Sequence, residues 1–294
     1  MIFLMIGAVF LGSFLEWYYD DGNADGDGWR KGVAEEKLRL EELMKEEDRP
    51  AEDIEYFQGR ISILDYHLEH NIRTDAGTMW DGINGSAELI VLITVFTVII
   101  AGDSLAGEFT TGTIKLLLIR PASRLKILIS KYLSMLMFGI LLLVILFIVS
   151  VLINGLLYQF SDMNLPLVAL DADGHVIEQS MVANLWKTYL LNCISTIMFV
   201  TMAFMISSAF RSSTMAIGFS IFAMFGGFIL LELLQRYEWS KYLLFANIDL
   251  TQYLSGRPYQ DGMTMTFSIT MLAIYYIGFN LVSWLVFTKR DVAA

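Results

Sequence analysis

Cysteine occurs once, at Cys193, and histidine three times. One cysteine excludes an intrachain disulfide and any metal site built on paired thiolates. The three histidines, His67, His70 and His175, all lie outside the long apolar runs, and no HExxH pattern occurs. Zincin chemistry and a membrane-embedded histidine base are therefore excluded. A Gly-x-Ser-x-Gly elbow is also missing, because Gly218-Phe219-Ser220 has no closing glycine. Residues 107–113 read GEFTTGT, like the start of a phosphate-binding loop, but Thr113 stands where the lysine is needed. This chain is thus expected to hold no ATP and to carry no enzymatic site of its own. Calcium is not expected in the DDGNADGDG stretch either, since Gly32 falls where a calcium loop needs its closing Glu.

What is abundant is apolar sequence. Of 294 residues, 55% are hydrophobic and the mean hydropathy is +0.55, far too apolar for an ordinary soluble domain. Six runs are long enough to cross a bilayer: residues 1–19, about 86–102, 127–157, about 185–210, 215–234 and 265–287. The net charge of −11 is unevenly spread. Residues 20–81 hold eighteen acids against eight basic residues, so nearly the whole imbalance sits in one polar segment. That sign excludes nucleic acid as a partner.

The basic residues near the other ends of the runs are Lys115, Arg120, Arg124, Lys126 and Lys131, then Arg211, then Lys289 with Arg290. Cytoplasmic loops collect such residues, so both termini are expected inside. The expected fold class is an all-α integral membrane protein of six transmembrane helices, N-in and C-in. Its segments would be a first span over 1–19, an acidic extracytoplasmic helical hairpin over 20–84, and the remaining five spans over 85–294. In the hairpin, Val33, Leu40, Leu43 and Met44 lie at helical spacing, as do Ile54, Phe57, Ile61, Leu64 and Leu68. Pro50 marks the turn between the two helices. His67 and His70 are expected on a solvated helix face. The aromatic stretch 236–262 is too polar for a span and is expected as helical segments lying at the outer interface.

Residues 103–131, DSLAGEFTTGTIKLLLIRPASRLKILISK, organise the rest. Glu108 sits where a carboxylate favours a helix start, a greasy run follows, and Pro121 stops the helix. A short amphipathic helix in a basic loop can dock into a groove on a soluble partner. The order Glu108, Gly112-Thr113, Leu116-Leu117, Pro121, Arg124, Lys131 resembles the signature of ABC-2 type transporter permeases. The resemblance is specific over about thirty residues; elsewhere only the hydropathy layout agrees.

The resemblance implies a multi-pass subunit of a bacterial cytoplasmic membrane, paired with an identical or similar permease and with separate ATPase subunits that bind ATP. It implies that Glu108 starts a coupling helix, that Thr113 to Ile119 form its docking ridge, and that Arg124 and Lys131 hold it at the lipid headgroups. The substrate path would lie between two permeases, lined by the hydroxyl-rich fourth or glycine-rich fifth span. The family usually carries an amphipathic helix ahead of its first span. Met1 sits directly in apolar sequence, so an in-frame basic segment is expected upstream in the genome. The alternative reading is a non-transporting membrane sensor or accessory protein that binds a ligand or partner through the acidic outer segment.

The charge pattern fixes a topology test. With Cys193 replaced, single cysteines at Asp25 and Asp173 should react with an impermeant thiol reagent on intact cells, and those at Ser123 and Ser212 should not. External labelling at Ser123 would refute the six-span arrangement.

Overall fold

A computed structural model describes residues 1–19, 28–45, 51–119, 123–171, 174–254 and 256–289, with backbone alone at 51–52 and 117–119. The elements in chain order are α1 (Ile2–Tyr19), α2 (Gly28–Leu43), α3 (Ala51–His70), α4 (Met79–Ala87), α5 (Ile90–Thr110), α6 (Ile114–Ile119) and α7 (Arg124–Leu157). A hairpin of β1 (Pro166–Leu170) and β2 (Val176–Ser180) follows, then α8 (Met181–Ala209), α9 (Ser213–Leu234), α10 (Leu244–Ile248) and α11 (Met265–Lys289). Among the described residues, six helical stretches are long and apolar enough to cross a membrane: Ile2–Tyr19, Met79–Thr110, Arg124–Leu157, Met181–Ala209, Ser213–Leu234 and Met265–Lys289. This is the helical membrane protein that composition demands. The expected hairpin and the turn at Pro50 touch residues 20–27 and 46–50, which lie outside the described residues.

The chain divides into two compact units, residues 1–89 with 146–187 and residues 90–145 with 188–294. In the first unit α1 buries Met5, Val9 and Ser13, one residue per turn, while Phe3 and Tyr19 face outward. Its partner α4 starts at Thr78, whose hydroxyl accepts from the Trp80 N–H at 3.2 Å. The second apolar stretch therefore begins at Met79, earlier than hydropathy suggested, and turns at residues 88–89. Glu88 sits exposed at that turn, nine residues on from Met79. Gly82 is required on α4, because a Cβ there would lie 2.0 Å from Asn154 Oδ1.

Helices α2 and α3 run antiparallel, as the periodicity implied. Arg30 donates to Asn71 Oδ1 at 2.6 Å, Arg60 pairs with Glu36 at 2.8 Å and Lys37 with Asp65 at 2.5 Å. The Asp65 carboxylate holds the Lys37 ammonium above its usual range. The far side of α3 packs on the β-hairpin: a Cβ at Gly59 would meet Leu170 Cδ1 at 2.6 Å, and Tyr66 Oη donates to Glu178 at 3.1 Å. The strands run antiparallel, Pro166 opposite Ser180. His67 is buried with Nδ1 2.8 Å from the Ile72 carbonyl, so it caps the end of α3. The solvated face expected for it holds only for His70, which stacks on Tyr66 with centroids 3.9 Å apart.

In the second unit α5 and α9 approach closely. Ala101, Leu105 and Ala106 are fully buried, and a Cβ at Gly102 would lie 3.3 Å from the Ile217 Cα. Small residues permit this approach, the usual device of membrane helices. Residues 238–253 form short helical turns, as expected, and one side of them is buried in the unit. Asn247, Ile248 and Leu250 are buried among α8, α9 and α11. The reason is polar complementarity: Asn247 donates to the Lys241 and Leu243 carbonyls at 2.7 and 2.8 Å, and Ser195 Oγ donates to the Ile248 carbonyl at 2.5 Å. Tyr237, Glu238, Trp239, Tyr242 and Asp249 stay exposed.

Phe245 reaches the groove left by Gly227, where a Cβ would stand 2.1 Å from its ring. Gly227→Ala should therefore lower detergent-state stability by about 1–3 kcal/mol through overpacking. Phe245→Leu in the same chain should recover part of that loss, read as the thermal unfolding midpoint.

Candidate functional site

The candidate site is the end of the second unit where α5, α6, α7, the α8–α9 turn and α11 meet. The chain stays helical through Thr110, so Glu108 closes α5 and does not open the next helix. This corrects the role the sequence pattern assigned to it. A carboxylate at a helix C-terminus opposes the helix dipole and needs compensation. Lys131 on α7 supplies it: Nζ donates to Glu108 Oε1 at 2.7 Å and to the Ser104 carbonyl at 2.7 Å. The Thr113 hydroxyl donates to the other oxygen, Oε2, and shares a 2.8 Å bond with the Thr111 hydroxyl. Both members of the ion pair are about three-quarters shielded, with side-chain exposures of 24% and 23%. The pair is therefore less screened than a surface pair.

Gly112 makes the reversal between α5 and α6. Its φ is +74°, a left-handed conformation that a side chain would strain. Helix α6 then spans only Ile114–Ile119. Ile114 is buried in an apolar cluster with Leu105, Leu128, Phe204 and Phe287, and Leu116 is 68% exposed. The run expected as one docking ridge thus divides: Thr113 and Ile114 hold the helix to its own protein, and Leu116 faces outward with Lys115. Pro121 lies outside the described residues, as does the side chain of Leu117. Arg124 Nη1 donates to the Thr288 carbonyl at 3.1 Å, capping the end of α11. Arg124 and Lys131, expected at the lipid headgroups, each donate to a backbone carbonyl of the protein.

Sequence reasoning did not find the link to the α8–α9 turn. The Thr110 hydroxyl donates to the Arg211 carbonyl at 3.2 Å and accepts from the Ser213 N–H at 2.9 Å. The Ser213 hydroxyl donates to Asp103 Oδ1. Gly107 gives that carboxylate room, since a Cβ there would lie 2.6 Å from Oδ1. The Ser207 hydroxyl on α8 accepts from the Leu105 and Ala106 N–H groups, 3.0 Å each. The recurrence of Ser and Thr in residues 207–214 was the available signal. The three basic stretches that the charge pattern assigned to one side, namely residues 103–131, Arg211 and the end of α11, thus share one face of this unit.

The proposed path linings behave differently. Thr196, Thr201, Ser207 and Ser208 of α8 are buried. Thr196 bonds Thr94 at 3.0 Å and Thr201 bonds Tyr132 at 2.7 Å. On α9, a Cβ at Gly218 would meet nothing within 4 Å. Among the described residues no group of three or more His, Cys, Asp or Glu side chains is placed to hold a metal ion.

If the ion pair ties α5 to α7, Glu108→Gln and Lys131→Met should not add. Their coupling in a double-mutant cycle should be about 1–3 kcal/mol in unfolding free energy. Additivity within about 0.5 kcal/mol would show that the two side chains act independently.

A model of the family DUF2705, proteins of unknown function, matches residues 54–293. The chain is 42% identical over 98% of its length to "Uncharacterized protein YhcI" of Bacillus subtilis (strain 168), covering 92% of that protein. It is 33% identical over 69% of its length to "Uncharacterized membrane protein YdbK" of the same organism, covering 79% of it. The chain belongs to the DUF2705 family.

Proposed function

We propose that this DUF2705 member is the membrane-spanning permease subunit of an ABC-2 type exporter. It lies in the cytoplasmic membrane of a bacterium and is driven by ATP hydrolysed in a separate ATPase subunit. The observation that carries the reading is α6. It is a two-turn helix held at the junction of five span ends by the Glu108–Lys131–Thr113 clasp, with Leu116 turned outward. A push on such a helix reaches α5 through Gly112 and α7 through Lys131. Three residues, 111–113, lie between the two helices, and the Thr113–Glu108 bond spans them. The exposed Leu116 and Lys115 would sit in the groove of the ATPase, an apolar anchor with a charged rim. The functional unit would hold two permease chains, identical or similar, and two ATPases, with membrane lipid around them. The transported substrate would be amphipathic or hydrophobic, since polar side chains within the spans are few.

The test is co-purification with the Walker-motif ATPase expected from a neighbouring gene. Leu116→Asp places an unpaired charge in the apolar contact, which should cost several kcal/mol of docking. Recovery of the ATPase and its substrate-stimulated hydrolysis should both fall, while the melting midpoint of the permease itself stays unchanged. Normal recovery and stimulation with Leu116→Asp would overturn the reading.

A further inference from the structure

The first unit contains a wide pocket of about 670 Å³ between residues 71–73 and 160–166. That volume suits a small ligand or a headgroup. Its place is set by the chain: residue 73 lies six positions before Met79, where one apolar stretch begins, and Phe160 three positions after Leu157, where another ends. Taking those stretches as spans, the pocket opens at the depth of the lipid headgroups.

Its walls are preformed and held at a cost. Asn71, Gln159, Phe160 and Asp162 all have left-handed φ, between 54° and 57°. Such values are uncommon away from glycine and worth explaining where they cluster. Three contacts fix the loop in this shape. The Phe160 ring covers Gly155, where a Cβ would lie 2.3 Å away. The Trp80 indole N–H donates to the Asp162 carbonyl at 2.9 Å. Arg73 Nη1 reaches Asp162 Oδ2 at 3.3 Å, and its Nη2 donates to the Gly77 carbonyl at 3.2 Å.

The charged groups lining it are one cation, Arg73, and one carboxylate, Asp162, side by side, with Asn71 and Asn164 as neutral polar neighbours. The 3.3 Å separation of the two charged groups is long for a charge-assisted bond, which is normally about 2.7–2.9 Å. Arg73 Nε is buried without a hydrogen-bond partner, and Nη1 and Nη2 make one bond each, so part of the five-donor guanidinium is unused. Asn71, already accepting from Arg30, lines the pocket along with Arg73. Around them Phe160 and Met163 are apolar and exposed. An anion alone would leave Asp162 repelled, and a cation alone would leave Arg73 repelled. A zwitterion satisfies both, and an apolar body attached to it covers Phe160 and Met163.

We propose that this pocket is a binding site for a zwitterionic phospholipid headgroup of the phosphoethanolamine type. Arg73 takes the phosphate, with Asn71 beside it. Asp162 takes the ammonium, against the face of Phe160. The acyl chains run back along the apolar span ends. This site is separate from the α6 face and does not depend on the transport reading.

The test is native mass spectrometry of the full-length protein in detergent with equimolar phosphatidylethanolamine, phosphatidylglycerol and phosphatidylcholine. The wild-type protein should retain phosphatidylethanolamine over phosphatidylglycerol by about fivefold or more, the scale of one charge pair. Asp162→Asn keeps the carbonyl that Trp80 needs and a residue tolerant of left-handed φ, so it should fold, with an unchanged melting midpoint as the check. It should reverse the preference towards phosphatidylglycerol. Arg73→Gln should lose phosphatidylethanolamine without gaining phosphatidylglycerol. Equal retention of the two lipids by wild type, or an unchanged preference in Asp162→Asn, would overturn the proposal. Retention of free glycerophosphoethanolamine as tight as that of the whole lipid would overturn the lipid as occupant.

Discussion

A bilayer offers no hydrogen bonds, so every polar group placed in it must find a partner inside the protein. This constraint decides where the chain can break. Residues 238–254 break into short helical turns and still pack into the second unit, because amide side chains collect the freed carbonyls. Gln252 Nε2 takes the Ala246 and Asp249 carbonyls at 3.1 and 2.6 Å, and Gln260 Nε2 takes those of Gln235 and Tyr237 at 3.0 and 2.9 Å. The Ser268 hydroxyl donates to Asn247 Oδ1 at 2.7 Å and bonds Tyr253 Oη at 2.6 Å. With its polar groups satisfied, the segment can present Phe245, Ile248 and Leu250 to the helices around it.

The same rule governs the junction at α6. Five chain ends meet there, each leaving carbonyls or N–H groups unused by its own helix. Lys131 takes the Ser104 carbonyl, Arg124 that of Thr288 and Thr110 that of Arg211. The side chains that satisfy these ends also connect them. Glu108 is in the least favourable place for an acid on α5, and its two partners come from the elements on either side of the Gly112 reversal and the following loop. Mechanical continuity between α6 and the spans is thus a by-product of satisfying buried polar groups.

Much of this was legible in sequence because hydropathy and period carry it. The third to sixth apolar stretches begin and end within a few residues of the runs read from composition. The α2–α3 pair follows from the spacing of Ile61, Leu64 and Leu68. What was not legible depends on contacts far apart in the chain. Glu108 was placed one helix too late because a carboxylate before a greasy run reads as a helix start; only Lys131, 23 residues on, reveals it as an end. His67 reads as surface until the Ile72 carbonyl folds back onto it. The strands over 166–170 and 176–180 were signalled by PLVAL and VIEQS around a Gly174 turn, but short strands between long helices are easily taken for loop. The inward course of 244–253 was hidden because aromatic and mixed-charge composition describes its rim and not its buried side.

The claim on which the functional account rests is that the outward side of α6 touches a nucleotide-binding subunit. A photocrosslinking amino acid at Leu116, activated in native membranes, tests it most directly. The account predicts a covalent adduct, identified by mass spectrometry as a Walker-motif ATPase, and its loss when the crosslinker is moved to Leu141, exposed in the middle of α7. Adducts at residue 116 with lipid alone, under conditions in which the chain is expressed and inserted normally, would contradict it.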